Sequence, residues 1–331
     1  MIIAVDASGG EYAPHEIVKG AIKAAQEYKV GIALVGRKEI LHVLAGRHLD
    51  KLGMTIVDAD EVIDFHDSPV EAVRGKPDSS IVVGTNLVKE GKAEAFVSAG
   101  NTGAVFYAAL SMLGRIKGIE RPAIGTLICI NNMAPFLLID SGANADCRPD
   151  FLVQFAHLGN IYAREILGIK SPRIGLLSNG EEESKGNRLT LESHELLKKT
   201  TLNFIGNVEG QDIPLGKADV FVTDGFTGNI VLKTIEGLST TWLYSLGQVG
   251  QIFSKAYRLP TRSARRDIGV ESWAKRLDFQ EYGGACLLGI DGNIVISHGR
   301  SQARAIKNAI SLARQTVERS LCEKIKEEMH E

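Results

Sequence analysis

Four short polar segments hold most of the residues able to do chemistry. They read Ser98-Ala-Gly-Asn-Thr-Gly-Ala104, Leu138-Ile-Asp-Ser-Gly-Ala-Asn-Ala-Asp146, Leu176-Leu-Ser-Asn-Gly-Glu-Glu-Glu-Ser-Lys-Gly-Asn187 and Val222-Thr-Asp-Gly-Phe-Thr-Gly-Asn229. In each, an apolar run ends in glycine, and polar side chains then open a helical pattern. Glycine lets backbone N–H groups approach a ligand, and a helix N-terminus favours negative charge. Any one such loop can use Gly and Asn simply to turn. Four of them, gathered at the carboxyl edge of an open α/β sheet, predict a site for an anion. The candidate binding residues are Asn101, Thr102, Gly103, Asn144, Lys185, Asn187, Gly228 and Asn229. Asp6, Gly9 and Gly10 end the first apolar run and form either a ligand wall or a capped turn.

Other chemistries fit less well. Gly175 to Gly180 has P-loop glycine spacing, but Glu181, Glu182 and Glu183 follow where Lys-Ser/Thr is required, so a triphosphate would be repelled. No G-x-G-x-x-G opens a helix, so a dinucleotide fingerprint is absent. No Ser-His-Asp or Cys-His constellation can be assembled from spacing. Lys185 precedes a helix start, where a cation opposes the dipole; it is either a surface residue or a cation held beside an anion by the three neighbouring carboxylates. Arg74 and Lys76 are further cations near the expected crevice. His298 is either an acid–base group or a structural residue at a strand end.

The elements that position these residues are legible from periodicity. Strands are expected at 2–6, 31–36, 54–58, 95–99, 123–130, 136–140, 173–178, 203–206 and 219–223, and helices at 14–28, 37–49, 69–75, 79–91, 102–114, 149–167, 187–199 and 227–258. Short apolar strands alternating with helices predict a doubly wound, mostly parallel sheet. Ser68-Pro-Val-Glu71 matches a capping box. The link at 131–135 and Asp291-Gly-Asn293 each predict a hairpin, and 300–329 predicts one long final helix with a frayed, charged end.

The 331 residues are 44% hydrophobic and 24% charged, with net charge −2. Nothing global points to nucleic acid, no apolar run is long enough to span a bilayer, and the N-terminal residues lack the pattern of a signal peptide. The four scattered cysteines and the histidine spacing suggest neither zinc nor disulfides, which fits a cytosolic protein without metal or cofactor. The segment 239–279 stands apart. Trp242, Leu246, Val249, Phe253 and Tyr257 recur at helical spacing, and Arg262, Arg265 and Arg266 follow Pro260. Two readings are open: a dimer-interface helix pair, or a surface that meets anionic lipid or an acidic protein.

Longer motifs carry a resemblance. D-A-S-G-G-E-Y-A-P (6–14), S-P-V-E-A-V-R (68–74), F-V-S-A-G-N-T-G-A (96–104), G-R-I-K-G-I-E-R-P-A (114–123), D-S-G-A-N-A-D-C-R-P (140–149), G-E-E-E-S-K-G-N (180–187), V-T-D-G-F-T-G-N-I-V-L-K-T-I-E-G (222–237) and Y-G-G-A-C-L-L-G (282–289) resemble the bacterial phosphate acyltransferase (PlsX) family, in order from residue 1 to about 315. Ser8, Glu11, Ser178-Asn179 and Cys286 depart from its usual pattern. The resemblance implies a three-layer α/β/α sandwich similar to isopropylmalate and isocitrate dehydrogenases and to phosphotransacetylases. It implies one catalytic domain over 1–331, with a helical tip at 239–279 and a charged helical tail at 316–331.

The implied reaction joins acyl-acyl carrier protein and inorganic phosphate to give acyl phosphate for phospholipid synthesis. The lysine and asparagine important to the family match Lys185 and Asn229. The same resemblance implies a cytoplasmic homodimer, without cofactor, that touches the anionic inner face of the membrane through the tip. A downstream glycerol-3-phosphate acyltransferase would be its partner. An acyl-coenzyme A phosphotransacetylase and a non-catalytic acyl-binding scaffold are the competing readings.

Overall fold

The computed structural model describes residues 1–129, 134–256 and 284–329, and side chains throughout these except 240 and 242–256. The chain opens with β1 (Ile2–Asp6), α1 (His15–Tyr28), β2 (Gly31–Gly36), α2 (Lys38–Leu52) and β3 (Met54–Asp58). It continues with α3 (Pro69–Gly75), α4 (Ser80–Lys89), β4 (Ala95–Ser98) and α5 (Thr102–Met112). A hairpin of β5 (Ala123–Ile128) and β6 (Phe136–Ile139) follows, then α6 (Pro149–Glu165), β7 (Ile174–Leu177), α7 (Arg188–Leu197), β8 (Phe204–Val208) and β9 (Val220–Val222). Last come α8 (Gly225–Ala256), the hairpin β10 (Ala285–Leu288) and β11 (Asn293–Ile296), α9 (Ala303–Glu318) and α10 (Leu321–Glu328).

Among the described residues the strands form one sheet in the order β3-β2-β1-β4-β11-β10-β5-β6-β9-β7-β8. The strands β3, β2, β1, β4 and β11 are mutually parallel, and so are β6, β9, β7 and β8. The three pairings between these blocks, β11–β10, β10–β5 and β5–β6, are all antiparallel. An odd number of reversals makes the two blocks run in opposite senses. The four loops therefore do not gather on one carboxyl edge, as expected; the loop after β4 leaves one edge and those after β6, β7 and β9 leave the other. Periodicity identifies strands but carries no information on which neighbour each one pairs with.

Alternate residues of each strand enter opposite layers. Ile3, Val5, Leu137, Ile139, Val220 and Val222 pack with α1, α6 and α9, and Ala4 and Phe96 pack with α4 and α5. Leu138 and Phe221 pack beneath Val231, Leu232 and Ile235 of α8. Strands covered on both faces explain the unbroken apolar runs. Three expectations need correction. Proline stands at the start of α3, but Ser68 makes no side-chain cap bond, so the capping box does not form. The final helix is two, broken where Ser320 takes φ 51°. Its last part is docked rather than frayed, because Leu321, Cys322 and Ile325 of α10 are buried in the core.

Candidate active site between α5, α8 and the central hairpins

A cavity of about 440 Å³ opens where the two blocks meet. Its floor is the antiparallel centre of the sheet: Ile124, Thr126, Leu127 and Ile128 of β5, Ala285 of β10 and Ile296 of β11. The N-terminus of α5 contributes Thr102, Gly103 and Phe106. Asn229, Leu232, Lys233, Ile235 and Glu236 descend from α8, and Ser297, His298 and Ser301 come from the loop after β11. One part of this lining is apolar and the other carries amide, ammonium, carboxylate and imidazole groups.

The sequence-predicted residues divide into those that face the cavity and those that build it. Thr102, Gly103 and Asn229 line it. Thr102 and Gly103 occupy the first two positions of α5, where N–H groups have no intrahelical acceptor. Asn101 caps the helix instead of facing a ligand. Its Oδ1 accepts from the Ala104 N–H at 3.1 Å, and its Nδ2 reaches the carbonyls of Asp64 (3.1 Å), Phe65 (3.4 Å) and Asp67 (3.3 Å). Only 8% of it is exposed.

The loop after β6 folds around Asp140, a fully buried carboxylate. Its Oδ1 accepts from the N–H groups of Ile124, Gly142 and Ala143 at 3.0, 3.1 and 2.9 Å, and its Oδ2 from Asn144 N–H at 2.7 Å and Nδ2 at 2.9 Å. Asn144 also bonds the Pro122 carbonyl at 2.8 Å. The N–H groups expected to cradle an anion thus already hold one, supplied by the chain. Ser141, at the start of this loop, lies on the cavity wall, its hydroxyl 2.6 Å from Thr126 Oγ1. Asp6 plays the parallel part after β1: it accepts from Ser8 and Gly9 N–H at 3.0 and 2.9 Å and from the Ser98 hydroxyl at 2.6 Å. Gly9 permits this turn, since a Cβ there would strike Asp6 and the Gly100 backbone, and Gly10 sits at φ 115°.

From Gly225 on, the D-G-F-T-G-N segment lies within α8, which begins two residues before the expected start at 227. Asp224 caps the helix through the Thr227 N–H and hydroxyl, both at 2.8 Å. Gly228 lets the first turn press against the loop after β6, where a Cβ would collide with the Asp140 carbonyl. With the helix starting at Gly225, Asn229, Lys233 and Glu236 stand at i, i+4 and i+7 and share one face. Sequence reading placed Lys233 and Glu236 in the expected helix and in the 222–237 motif but did not name them as site residues, because nothing local shows which face of that helix meets the cavity. The signal that finds them is this helical spacing from Asn229.

Lys185 and Asn187 are exposed on the neighbouring loop and are not part of the cavity lining. Asn187 caps α7, accepting from the Thr190 N–H at 2.9 Å. The stem of Lys185 packs on Gly180, where a Cβ would lie 2.7 Å from Lys185 Cγ. Two of the three preceding acids are engaged elsewhere: Glu181 pairs with Lys217 at 2.5 Å and Glu183 with Lys198 at 2.9 Å. Lys185 makes no ion pair among the described residues. Two other cations are occupied. Lys76 pairs with Asp67 at 2.6 Å, and Arg74 bonds the Tyr107 hydroxyl at 3.0 Å. Trp242 and Phe253 belong to α8, with side chains outside the described ones. Tyr257, Arg262, Arg265 and Arg266 lie outside the described residues.

His298 joins the cluster on the cavity wall. Its Nδ1 accepts from the Arg300 N–H at 3.0 Å, and its Nε2 stands 3.3 Å from Lys233 Nζ and 3.7 Å from Glu236 Oε2. Burial holds its pKa below the ordinary histidine value. Burial also pushes the Cys147 and Cys286 thiols up to about 12 and Cys322 to about 11, so these three are protonated near neutral pH.

Comparison with known proteins gives these features a family. Residues 1–324 match the model of the "Fatty acid synthesis protein" family. A phosphate acyltransferase of Dehalococcoides mccartyi is 59% identical over 99% of this chain and 94% of its own. One from Pelotomaculum thermopropionicum is 49% identical over 98% and 94%. Among solved structures, a phosphotransacetylase from Streptococcus pyogenes superposes with TM-score 0.61 at 20% identity, covering 96% of this chain and 94% of that one. A branched-chain phosphotransacylase from Enterococcus faecalis gives TM-score 0.61 at 15% identity, covering 96% and 99%. These distant likenesses establish a shared α/β fold. The full-length match and the identity to curated relatives go further: the chain belongs to the phosphate acyltransferase family of transferase enzymes.

Proposed function

We propose that the enzyme transfers an acyl group from acyl-acyl carrier protein to inorganic phosphate, releasing acyl phosphate for phospholipid synthesis. The observation that carries this reading is the two-sided cavity. Phe106, Ile124, Leu127, Ile128, Leu232 and Ile235 suit the chain next to a thioester, while Asn229, Lys233 and the N–H groups of Thr102 and Gly103 suit oxyanions.

The chemistry asks little of a general base. Phosphate is partly dianionic near neutral pH, and a thiol of pKa about 8.5 leaves readily. A phosphate oxygen attacks the carbonyl carbon, the C–S bond breaks, and the proton of hydrogenphosphate ends on the departing sulfur. No acyl-enzyme is needed. Donors aimed at the tetrahedral oxyanion then matter most, each worth roughly 3 kcal/mol. We assign Asn229 to that role, with the open end of α5. We assign Lys185, exposed on its loop outside the cavity lining, to contact with a substrate anion. Homodimerisation and peripheral contact of 239–279 with the inner face of an anionic cytoplasmic membrane complete the proposal, delivering an oily product to a downstream glycerol-3-phosphate acyltransferase.

The test is acyl phosphate formation by purified protein from palmitoyl-acyl carrier protein and phosphate. Lys185→Ala and Asn229→Ala should each lower turnover at least ~100-fold, as for loss of one transition-state donor, without loss of fold by circular dichroism. Turnover with acyl-coenzyme A but not with carrier protein would make the enzyme a phosphotransacetylase. Wild-type rates in both folded variants would remove these residues from the mechanism.

A further inference from the structure

The motif G-R-I-K-G-I-E-R-P-A at 114–123 carries charge that the reaction at the cavity does not use. The chain folds it into one rim of a second, open groove of about 750 Å³ beside the N-terminus of α6. Arg115 and Arg121 from this segment line the groove with Arg148, the residue that precedes α6, and Glu120 is the acid among them. Three guanidinium groups and one carboxylate leave a net charge of +2, in a chain whose total is −2. Asp146 and Asp150 flank Arg148 in sequence but do not line the groove.

These arginines are held in place on a fixed platform. Ile116 and Ile119 are buried and anchor the segment. Gln154 of α6 pins it: its Oε1 accepts from the Glu120 N–H at 2.9 Å, and its Nε2 donates to the Gly118 carbonyl at 3.1 Å. Arg115 donates through Nη1 to the Glu120 carbonyl, and Arg148 pairs through Nη2 with the Glu120 carboxylate. Arg148 and Arg121 stand over the Phe151 ring, 4.6 and 5.8 Å from its centroid. Arg121 makes no ion pair among the described residues. A guanidinium carries five N–H donors, so one contact through one nitrogen orients the group and leaves donors for a partner. All three arginines are exposed. Ordered arginines around an apolar floor of Leu110, Pro122 and Phe151 have the composition of a protein interface.

The groove adjoins the cavity through shared elements. α5 gives Phe106 to the cavity and Leu110 to the groove, one helical turn or about 6 Å further on. β5 gives Ile124 to the cavity, and Pro122 just before it lines the groove. Asn144 ties the two together: its Nδ2 holds the Pro122 carbonyl at 2.8 Å, and Ala143 beside it lines the cavity. An acyl group carried on a protein needs a surface that holds the protein while the thioester enters the cavity. We propose that this groove docks an acidic face of the protein that carries the acyl group, with Arg115, Arg121 and Arg148 meeting its carboxylates and the Phe151 floor meeting an apolar side chain. The proposal rests on the acyl carrier reading of the cavity for the occupant's identity, and on charge complementarity for its chemistry.

Fluorescence anisotropy of labelled acyl carrier protein measures docking without turnover. Arg121→Glu should weaken binding at least ~5-fold and Arg115→Glu with Arg121→Glu at least ~10-fold, as for reversing one and two charges that face a complementary surface. Arg121→Gln, which removes the charge without reversing it, should fall between wild type and Arg121→Glu. Salt should weaken binding to the wild type more steeply than to the double variant. Lys51→Glu makes the same change of net charge at an exposed position of α2 and should bind as wild type does. In steady state, the KM for palmitoyl-acyl carrier protein should rise with the dissociation constant. The KM for phosphate, and turnover of an acyl-pantetheine thioester that has no protein to dock, should stay within about twofold of wild type. Carrier binding that survives the double variant overturns the groove even where acyl phosphate forms normally. If wild type forms no acyl phosphate from the carrier yet binds it through these arginines, the acyl-transfer reading fails and the docking surface stands. A double variant that sediments as a monomer where wild type is a dimer makes the groove a subunit interface and overturns the proposal, as does loss of anionic vesicle binding with carrier binding intact.

Discussion

Asp140 shows how much one residue can organise. Five donor groups converge on its two oxygens, and together they set the path of the loop from β6 toward α6. The carboxylate is uniquely suited, because both oxygens accept. In Asp140→Asn, one oxygen becomes an NH₂ and meets two or three N–H donors at close range. Leaving buried donors unsatisfied should cost about 3 kcal/mol, read as a lower urea midpoint with an unchanged denaturant slope. Asn101 and Asn144 were legible as important but not in their roles. An asparagine after a strand announces a turn or a ligand equally well. Only the carbonyls of Asp64, Phe65, Asp67 and Pro122, brought in from distant sequence, show that these two amides are already occupied.

At the scale of elements, most helices and strands follow from local pattern. The α3 boundaries are those expected from Pro69 and the Lys76-Pro77 break, and β1, β2 and β3 fall where the apolar runs place them. Errors cluster where a contact far along the chain decides. The final helix breaks at Ser320 because the chain turns there to dock α10 on the core. The apolar residues Leu321, Cys322 and Ile325 gave a helical period without saying that it belonged to a separate helix. Arg164 pairs with Glu328 at 2.9 Å, and Lys326 pairs with Asp291, so α10 is tied at both faces. Deleting residues 320–331 should remove those three side chains from the core and destabilise the protein by roughly 4 kcal/mol, at the usual value of buried apolar side chains. Thermal unfolding of the truncated protein checks this; an unchanged midpoint would make α10 a passive appendage.

Across the whole molecule, the two parallel blocks meet through antiparallel strands, and the cavity lies over that junction. No helix among the described residues is long and apolar enough to cross a membrane. The proposed membrane contact therefore rests on the composition of 239–279: aromatic residues at helical spacing followed by Arg262, Arg265 and Arg266. Each basic residue near an anionic surface contributes ~1 kcal/mol, screened by salt. Binding to anionic vesicles should fall as salt rises, and neutral vesicles should bind weakly. Changing the three arginines together to glutamate should abolish vesicle binding while sedimentation still reports a dimer. A monomeric variant that keeps its vesicle binding would make the segment a subunit interface.

The division between sequence and tertiary structure follows range. The identity of most strands and helices, the glycine turns and the interest of Thr102, Gly103 and Asn229, which line the cavity, were legible in the sequence alone. Burial periodicity, glycine φ and helix-start chemistry act over a few neighbouring residues, and the motifs around them are long enough to carry a family resemblance. The opposed directions of the two blocks, the use of Asn101 and Asn144 as internal clamps, and the meeting of His298 with Lys233 across 65 residues were decided only by the tertiary structure. Each of those depends on which strand lies beside which, a property of the whole chain's packing that no local window contains.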